Sequence, residues 1–256
     1  MGPEKFALAV AVALFAGGVI GLVLQRILPE SSTTGGPRDM IGAVVGLLTL
    51  LAALTMGLLI WTAYGVYAGQ NTAIQALAAK FLQLDLALAD YGPEAKDLRL
   101  QVRDALSKTI DAFWGTNEND ANFAANNFAE ALRNMHTRVV ALDALHPSTD
   151  AQTQALTIAK ATSEAIGQSR LQMSFALAAP VSYPLILTVV AWAVLLFCGF
   201  GMMSSHHVMS LIAVFIGACA AASAVYMILD LSSPYSGVLR ASPAPLQQVL
   251  AVMGEE

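Results

Sequence analysis

The chain has 256 residues, of which 56% are apolar and only 12% are charged, and its formal net charge is −5. Soluble domains carry about a quarter charged residues, so this composition excludes an ordinary water-soluble protein. The charges are also unevenly distributed, because residues 80–170 hold 21 of the 31 charged side chains, of which 13 are basic and 18 acidic in the whole chain. That concentration excludes a protein that lies in a membrane over its whole length.

Three long segments contain no Asp, Glu, Lys or Arg and predict the membrane spans. They comprise 20, 40 and 59 residues, and one bilayer crossing takes about 20 apolar residues. The apolar core of the first segment is longer than that of a signal peptide, so we interpret it as a retained helix. The predicted spans are residues 6–24, Met40 to about Ile60, Pro184 to about Met203, and Val208 to Leu229.

A polar, helical insert separates the second and third spans. Good helix formers follow the second span without a break, which predicts one helix from Met40 to Ala89, ended by Gly92-Pro93. Apolar residues recur at three- and four-residue steps in the next helix, Glu94 to Trp114. A third helix is predicted over Phe123 to Leu145, and a fourth begins at a capping box formed by Thr149 and Gln152.

The sequence therefore predicts an all-α chain with four transmembrane helices and a helical cytoplasmic insert. We divide it into residues 1–69 (transmembrane helices 1 and 2), 70–180 (insert), 181–231 (transmembrane helices 3 and 4) and 232–256 (C-terminal cytoplasmic segment). The orientation follows from the basic residues near the helix ends, which are more frequent on the side of the termini and the insert. On that side they are Lys5, Lys80, Arg170 and Arg240, against Arg26 and Arg38 on the other.

Motifs for catalysis, cofactors and nucleic acid are missing from the sequence. No nucleophile–His–acid motif, phosphate-binding glycine loop or zinc signature occurs, so we expect no enzyme and no cofactor. No run of Lys and Arg suggests nucleic-acid binding. The turn at 202–209 combines methionines with His206 and His207, a pairing that suits Cu(I), but an ordinary loop is the preferred interpretation and we predict no metal site.

Two local patterns suit either a functional or a purely structural interpretation. Lys96, Arg99 and Arg103 share one helix face, which is typical of an anion-attracting surface but also of a solvated or salt-bridged face, the interpretation we favour. Glycines four residues apart, as in Gly17 and Gly21, predict close helix packing within or between subunits.

Five blocks of the sequence resemble the bacterial bestrophin-like family, membrane proteins of unassigned function. The blocks are Gly21 to Pro29; Gly46 to Leu59; Leu84-Asp85 with Tyr91-Gly92-Pro93-Glu94 and Arg99; Ser182-Tyr183-Pro184 with Trp192, Phe197 and Phe200-Gly201; and Leu229 to Gly237 with Ser242 and Pro245-Leu246. The chain departs from the family pattern at five positions, which are Tyr64, Leu86, His206, Asp230 and Ser232.

The resemblance implies a relation to bestrophins, which are oligomeric anion channels with the same order of spans and cytoplasmic helices. We therefore expect a homo-oligomeric ion channel in the bacterial inner membrane. The alternative is a non-conducting scaffold or sensor whose cytoplasmic helices bind an unidentified partner protein. The candidate pore constriction is Leu47, Leu50, Leu51 and Leu54 of the second span, and the same leucines could equally face lipid.

The resemblance also supplies candidate structural or functional motif residues. They are Asp85, Tyr91, Gly92, Pro93, Glu94, Arg99, Asp230, Pro234, Tyr235 and Gly237. Asp230 ends the fourth span, where the helix dipole opposes a negative charge. We therefore expect it to pair with a basic or hydroxyl group of the insert or the C-terminal segment, with Arg99, Arg103 and Arg240 as the leading candidates.

Overall fold

The computed structural model describes residues 2–29, 35–115, 123–178, 183–204, 208–233, 235 and 237–253, and these residues contain helices and no strands. A single 3-10 turn, Pro93–Ala95, interrupts the α-helices. In chain order the α-helices are α1 (Pro3–Ile27), α2 (Gly36–Tyr91), α3 (Lys96–Trp114), α4 (Phe123–Asp143), α5 (Asp150–Ala178), α6 (Tyr183–Met203), α7 (Val208–Leu231) and α8 (Ala244–Val252).

Four of these helices are long and apolar enough to cross a membrane, which confirms the predicted number of spans. They are α1, α2, α6 and α7. Helix α2 has 56 residues, far more than the roughly 20 that a bilayer crossing needs. It ends as predicted, because Gly92 has a φ of +119° and Pro93 follows it; a left-handed φ is open to glycine but strained for other residues.

The chain forms two compact units, and the first boundary between them lies within α2. The first unit, here called the membrane unit, comprises Met1–Gly65 and Val181–Ser232. The second, here called the helical unit, comprises Val66–Pro180 and Ser233–Glu256.

In the membrane unit, helix α1 packs against α6 and α7 through small residues. A Cβ added at Gly17 would lie 2.9 Å from the carbonyl oxygen of Val194, and one added at Gly21 would overlap the carbonyl oxygen of Cys198. The small-residue pattern at Gly17 and Gly21 thus serves contacts within this chain. Membrane helices pack without a hydrophobic driving force, so such close backbone approach is the main source of their van der Waals contact.

We predict that Gly21→Ala destabilises the protein, because the new methyl group must displace the backbone of α6. Overpacking of this kind costs about 1–3 kcal/mol. Gly57→Ala in α2 is the matched control, since an added Cβ there meets no atom within 4 Å. Melting temperatures of the detergent-solubilised variants test this prediction, and equal melting temperatures would contradict the close α1–α6 contact.

The core of the helical unit is built from the C-terminal half of α2, from α3, and from α5. The predicted periodicity of α3 is confirmed, because Leu98, Val102, Leu106 and Phe113 are all buried. The capping box is confirmed in part: the Gln152 amide donates to the Thr149 hydroxyl at 3.2 Å. The Gln152 side chain, however, accepts from the Ser148 amide and donates to the Tyr91 carbonyl oxygen.

Helix α8 is an element that the sequence did not predict. It has nine residues, and an isolated helix of that length is unstable in water. Its formation depends on tertiary packing, since Leu246 is fully buried and Met253, just beyond its end, is also buried in the core of the helical unit.

Candidate functional site

A bidentate ion pair between Asp85 of α2 and Arg99 of α3 forms the centre of the candidate site. The Arg99 Nε donates to Asp85 Oδ1 at 2.9 Å, and its Nη2 donates to Oδ2 at 2.9 Å. The Asp85 residue is 5% exposed, so the pair is shielded from solvent on the carboxylate side. Such fork-to-fork contacts fix orientation as well as charge. The turn at Gly92 makes the pair possible, because it directs the chain from the end of α2 into α3.

A cleft of about 370 Å³ opens beside this ion pair. Its charged lining residues are Asp85, Lys96, Arg99 and Arg103, and the rest of its wall is provided by Ala89, Gly92, Pro93, Leu100 and Met253. The three cationic residues that share one face of α3 therefore line a concave surface. The sequence analysis interpreted this face either as an anion-attracting surface or as a solvated or salt-bridged one. Arg99 is indeed salt-bridged, and its partner is Asp85 of α2.

The structure brings together most of the candidate residues of the third sequence block. Asp85, Gly92, Pro93 and Arg99 all line the cleft. Tyr91 is buried in the core and its carbonyl oxygen accepts the hydrogen bond from Gln152. Glu94 is exposed and does not belong to the lining.

Tyr235 anchors the C-terminal segment in the core of the helical unit. Its ring centroid lies 4.9 Å from that of Phe113 and 5.2 Å from that of Trp114. Its hydroxyl donates to Gln70 Oε1 at 2.7 Å, and the Trp114 indole donates to the Ala241 carbonyl oxygen at 2.8 Å. Burial raises the pKa of the Tyr235 phenol far above its usual value of 10. Tyr235 is thus a structural residue of this unit.

We predict that Tyr235→Phe lowers the free energy of unfolding by about 1–3 kcal/mol at neutral pH, because Gln70 Oε1 loses its buried donor. The raised pKa adds a pH dependence. The unfolded chain releases the phenol proton above about pH 10 while the folded chain keeps it, so this stabilising contribution is complete below pH 10 and declines above it. The stability of the Tyr235→Phe variant should not show this decline above pH 10, because phenylalanine has no phenol proton to release.

Denaturation in detergent between pH 7 and pH 11 measures both effects. Tyr183→Phe is the control, since Tyr183 is half exposed and its ring contact with Phe6 is kept by phenylalanine. Identical pH profiles for the Tyr235→Phe variant and the unmodified protein would show that the Tyr235 hydroxyl is not buried in this way.

In the membrane unit, Asp230 is 1% exposed near the end of α7. The Tyr226 hydroxyl lies one helical turn earlier, close to its carboxylate. Sequence reasoning missed this neighbour, although a spacing of four residues places both side chains on one face of the helix. The pairing of Asp230 with an arginine of the helical unit stays a prediction.

The remaining candidates of the fifth sequence block lie beyond α7. Gly237 has a φ of +85°, the left-handed backbone expected for a glycine that turns the chain. Pro234 lies outside the described residues, as do His206 and His207 of the methionine-rich turn. Among the residues that the structure does describe, no group of three His, Cys, Asp or Glu side chains could hold a metal ion.

The candidate constriction residues of α2 all lie on one exposed face. Leu47, Leu50, Leu51 and Leu54 are 60%, 71%, 41% and 75% exposed, respectively. The hydroxyls of Thr49, Thr55 and Thr62 on the same helix donate to its own carbonyl oxygens. This part of α2 therefore presents an apolar surface to its surroundings.

Two arginines in the α4–α5 hairpin are buried, which the sequence analysis did not predict. Arg138 is 5% exposed and Arg170 is 1% exposed. Burial and the nearby charge of Arg170 lower the pKa of Arg138 to about 10, so its guanidinium remains charged at neutral pH. A signal was present, because Arg138 lies at helical spacing from the buried Leu142, and Arg170 from Ile166.

Comparison with known families identifies one match, the Bestrophin-like domain, over residues 11–246 of this chain. The matched region includes every candidate residue of the cleft except Met253. No curated protein and no solved structure matches the chain.

Proposed function

The chain belongs to the bestrophin-like family, and from this membership and its helices we propose that it forms a homo-oligomeric ion channel with α2 nearest the axis. The insert and both termini lie in the cytoplasm in this proposal, and the membrane is the bacterial inner membrane. Bestrophins are themselves oligomeric channels, and family likeness alone does not establish an activity. The further support comes from the surface of α2.

The exposed apolar face of α2 is the observation that carries the proposal. Only 11% of its membrane-crossing window is buried within the chain, compared with 28% for α1 and α6 and 22% for α7. Of the four spans, α2 is therefore the one whose surface depends most on lipid or on other copies of the chain. Oligomers are most often closed and symmetric, and a ring of copies would bring one leucine of each α2 close to the axis.

The chemistry of this face limits the kind of pore that it could line. No charged residue occurs between Asp39 and Lys80, and the threonine hydroxyls of α2 are bonded within the helix. A pore lined by this helix would therefore be closed by a hydrophobic constriction, which gates ions through loss of water from its narrowest part. Ion selectivity would arise elsewhere.

We predict that purified protein in liposomes conducts halide or cation flux above that of empty vesicles, and that Leu54→Asn increases this flux. The polar amide would keep water in the constriction and lower the barrier to ions. Leu195→Asn in α6 is the matched control, because Leu195 is also exposed, at 58%, and the proposal places it away from the axis. No flux under any ion gradient or voltage would refute the channel and favour the non-conducting scaffold or sensor.

The orientation is tested separately with single cysteines in a protein whose Cys198 and Cys219 have been replaced by alanine. A cysteine at Asp150, in the helical unit, should be shielded from membrane-impermeant thiol reagents in intact cells. A cysteine at Gly36, between the first two spans, should react readily. The reverse pattern would place the helical unit outside the cytoplasm.

A further inference from the structure

The cleft beside the Asp85–Arg99 pair has an unbalanced positive charge. Arg99 is matched by Asp85, which leaves Lys96 and Arg103 as the two excess positive charges of the lining. Within the described part of the chain, neither of these two side chains has an acidic partner within salt-bridge distance. The other basic residue of this helix, Lys108, is paired with Asp104 at 2.6 Å.

The position of Lys96 on α3 is unfavourable when the cleft is empty. Lys96 begins α3, where the helix dipole adds positive potential and disfavours a cation. Arg103 lies two turns further along the same face, and Arg99 between them is neutralised by Asp85. An anion in the cleft is attracted by Lys96 and Arg103 and by the helix N-terminus.

The rest of the lining suits an organic ligand. Leu100, Ala89, Pro93 and Met253 give the cleft an apolar wall, and pockets for small molecules combine such walls with a few convergent polar groups. A volume of about 370 Å³ lies at the small end of the range for such pockets. It suits a compact molecule with one doubly charged group and a short organic part.

We propose that this cleft binds a phosphate monoester, with Lys96 and Arg103 neutralising the phosphate and Asp85 holding Arg99 in place beside it. Arg99 is a positioned donor, because both oxygens of Asp85 fix its guanidinium. The same headgroup chemistry occurs in a soluble ester, such as glycerol 3-phosphate, and in a lipid, phosphatidic acid. Binding at this site does not depend on whether the protein conducts ions.

Isothermal titration calorimetry of the full chain in detergent, with glycerol 3-phosphate as the probe and glycerol as the blank, tests the proposal. We expect Lys96→Met and Arg103→Met each to raise the Kd by about ten-fold or more, as for the loss of one charge-assisted hydrogen bond. Lys108→Met is the matched control, since it removes the same charge from the same helix outside the cleft. Its Kd should stay within about two-fold of the unmodified protein, because exposed charges are screened by salt.

A second arm identifies the source of the phosphate group. The protein is reconstituted in nanodiscs of phosphatidylcholine with or without phosphatidic acid, and its melting temperature is compared between the two. The site would be assigned to a lipid headgroup if phosphatidic acid stabilises the protein, if Lys96→Met and Arg103→Met abolish this stabilisation, and if glycerol 3-phosphate does not bind.

The proposal is overturned if neither probe binds, or if Lys108→Met weakens binding as much as the two cleft variants. The substituted residues, Lys96, Arg103 and Lys108, are all exposed, so we expect the three variants to fold. Circular dichroism verifies that they do.

Discussion

Helix α2 is one uninterrupted helix whose first part is largely exposed and whose second part is packed in the core of the helical unit. The rest of the structure depends on this change of surroundings along α2. Its large apolar side chains between Leu47 and Trp61 are mainly exposed, whereas most of those from Ile74 to Leu88 are buried, with Leu86 as the exposed exception. The first part lacks charged residues, whereas the second part contains Lys80, Asp85 and Asp90. The distinction comes from what surrounds each part: the second part has α3, α5 and the C-terminal segment to pack against. The first part has little protein contact, and lipid or other copies of the chain are left to cover it.

The helices themselves could be predicted from the sequence because their signals are local. Charge-free segments identify membrane spans, and Gly92-Pro93 marks the end of α2 whatever surrounds it. The observed bounds differ from the predicted ones by a few residues at most, as for the first span, predicted over 6–24 and observed over Pro3–Ile27. Helix α8 was missed because its nine residues have weak local signals and need the core for stability.

The candidate site was predictable only in part, because it depends on pairings between distant residues. The resemblance selected Asp85 and Arg99 but did not pair them; that contact joins residues 14 positions apart across the Gly92 turn. In the same way, sequence reasoning named Arg99, Arg103 and Arg240 as candidate partners of Asp230 and overlooked Tyr226, which lies close to Asp230 on the same helix. Charge and periodicity show that a buried acid needs a partner, but they do not choose among several partners.

At the buried arginines of the α4–α5 hairpin, the spacing of apolar residues and the charge of the side chain predict different positions. The apolar spacing places Arg138 and Arg170 inside, while the cost of burying charge opposes that position. Burial, together with the nearby charge of Arg170, lowers the pKa of Arg138, so keeping this guanidinium charged inside the hairpin opposes folding at neutral pH. Apolar burial in the same hairpin offsets this cost, since Leu142 and Ile166, each one turn from an arginine, are buried.

If the protein conducts ions and its cleft binds a ligand, as proposed, α2 is the element common to both activities, because it contains the leucine face and Asp85. Continuity of a helix is not coupling, however. A ligand shifts a conformational equilibrium only by the difference in its affinity for the two states, and spatial connection alone does not demonstrate such a difference. In this protein the relevant difference would be a change at the Asp85–Arg99 pair, since Arg99 both lines the cleft and bonds Asp85 of α2. Regulation would therefore require that Arg99 exchange its bidentate contact with Asp85 for one with the ligand. Binding that leaves the pair intact would fill the cleft without altering α2.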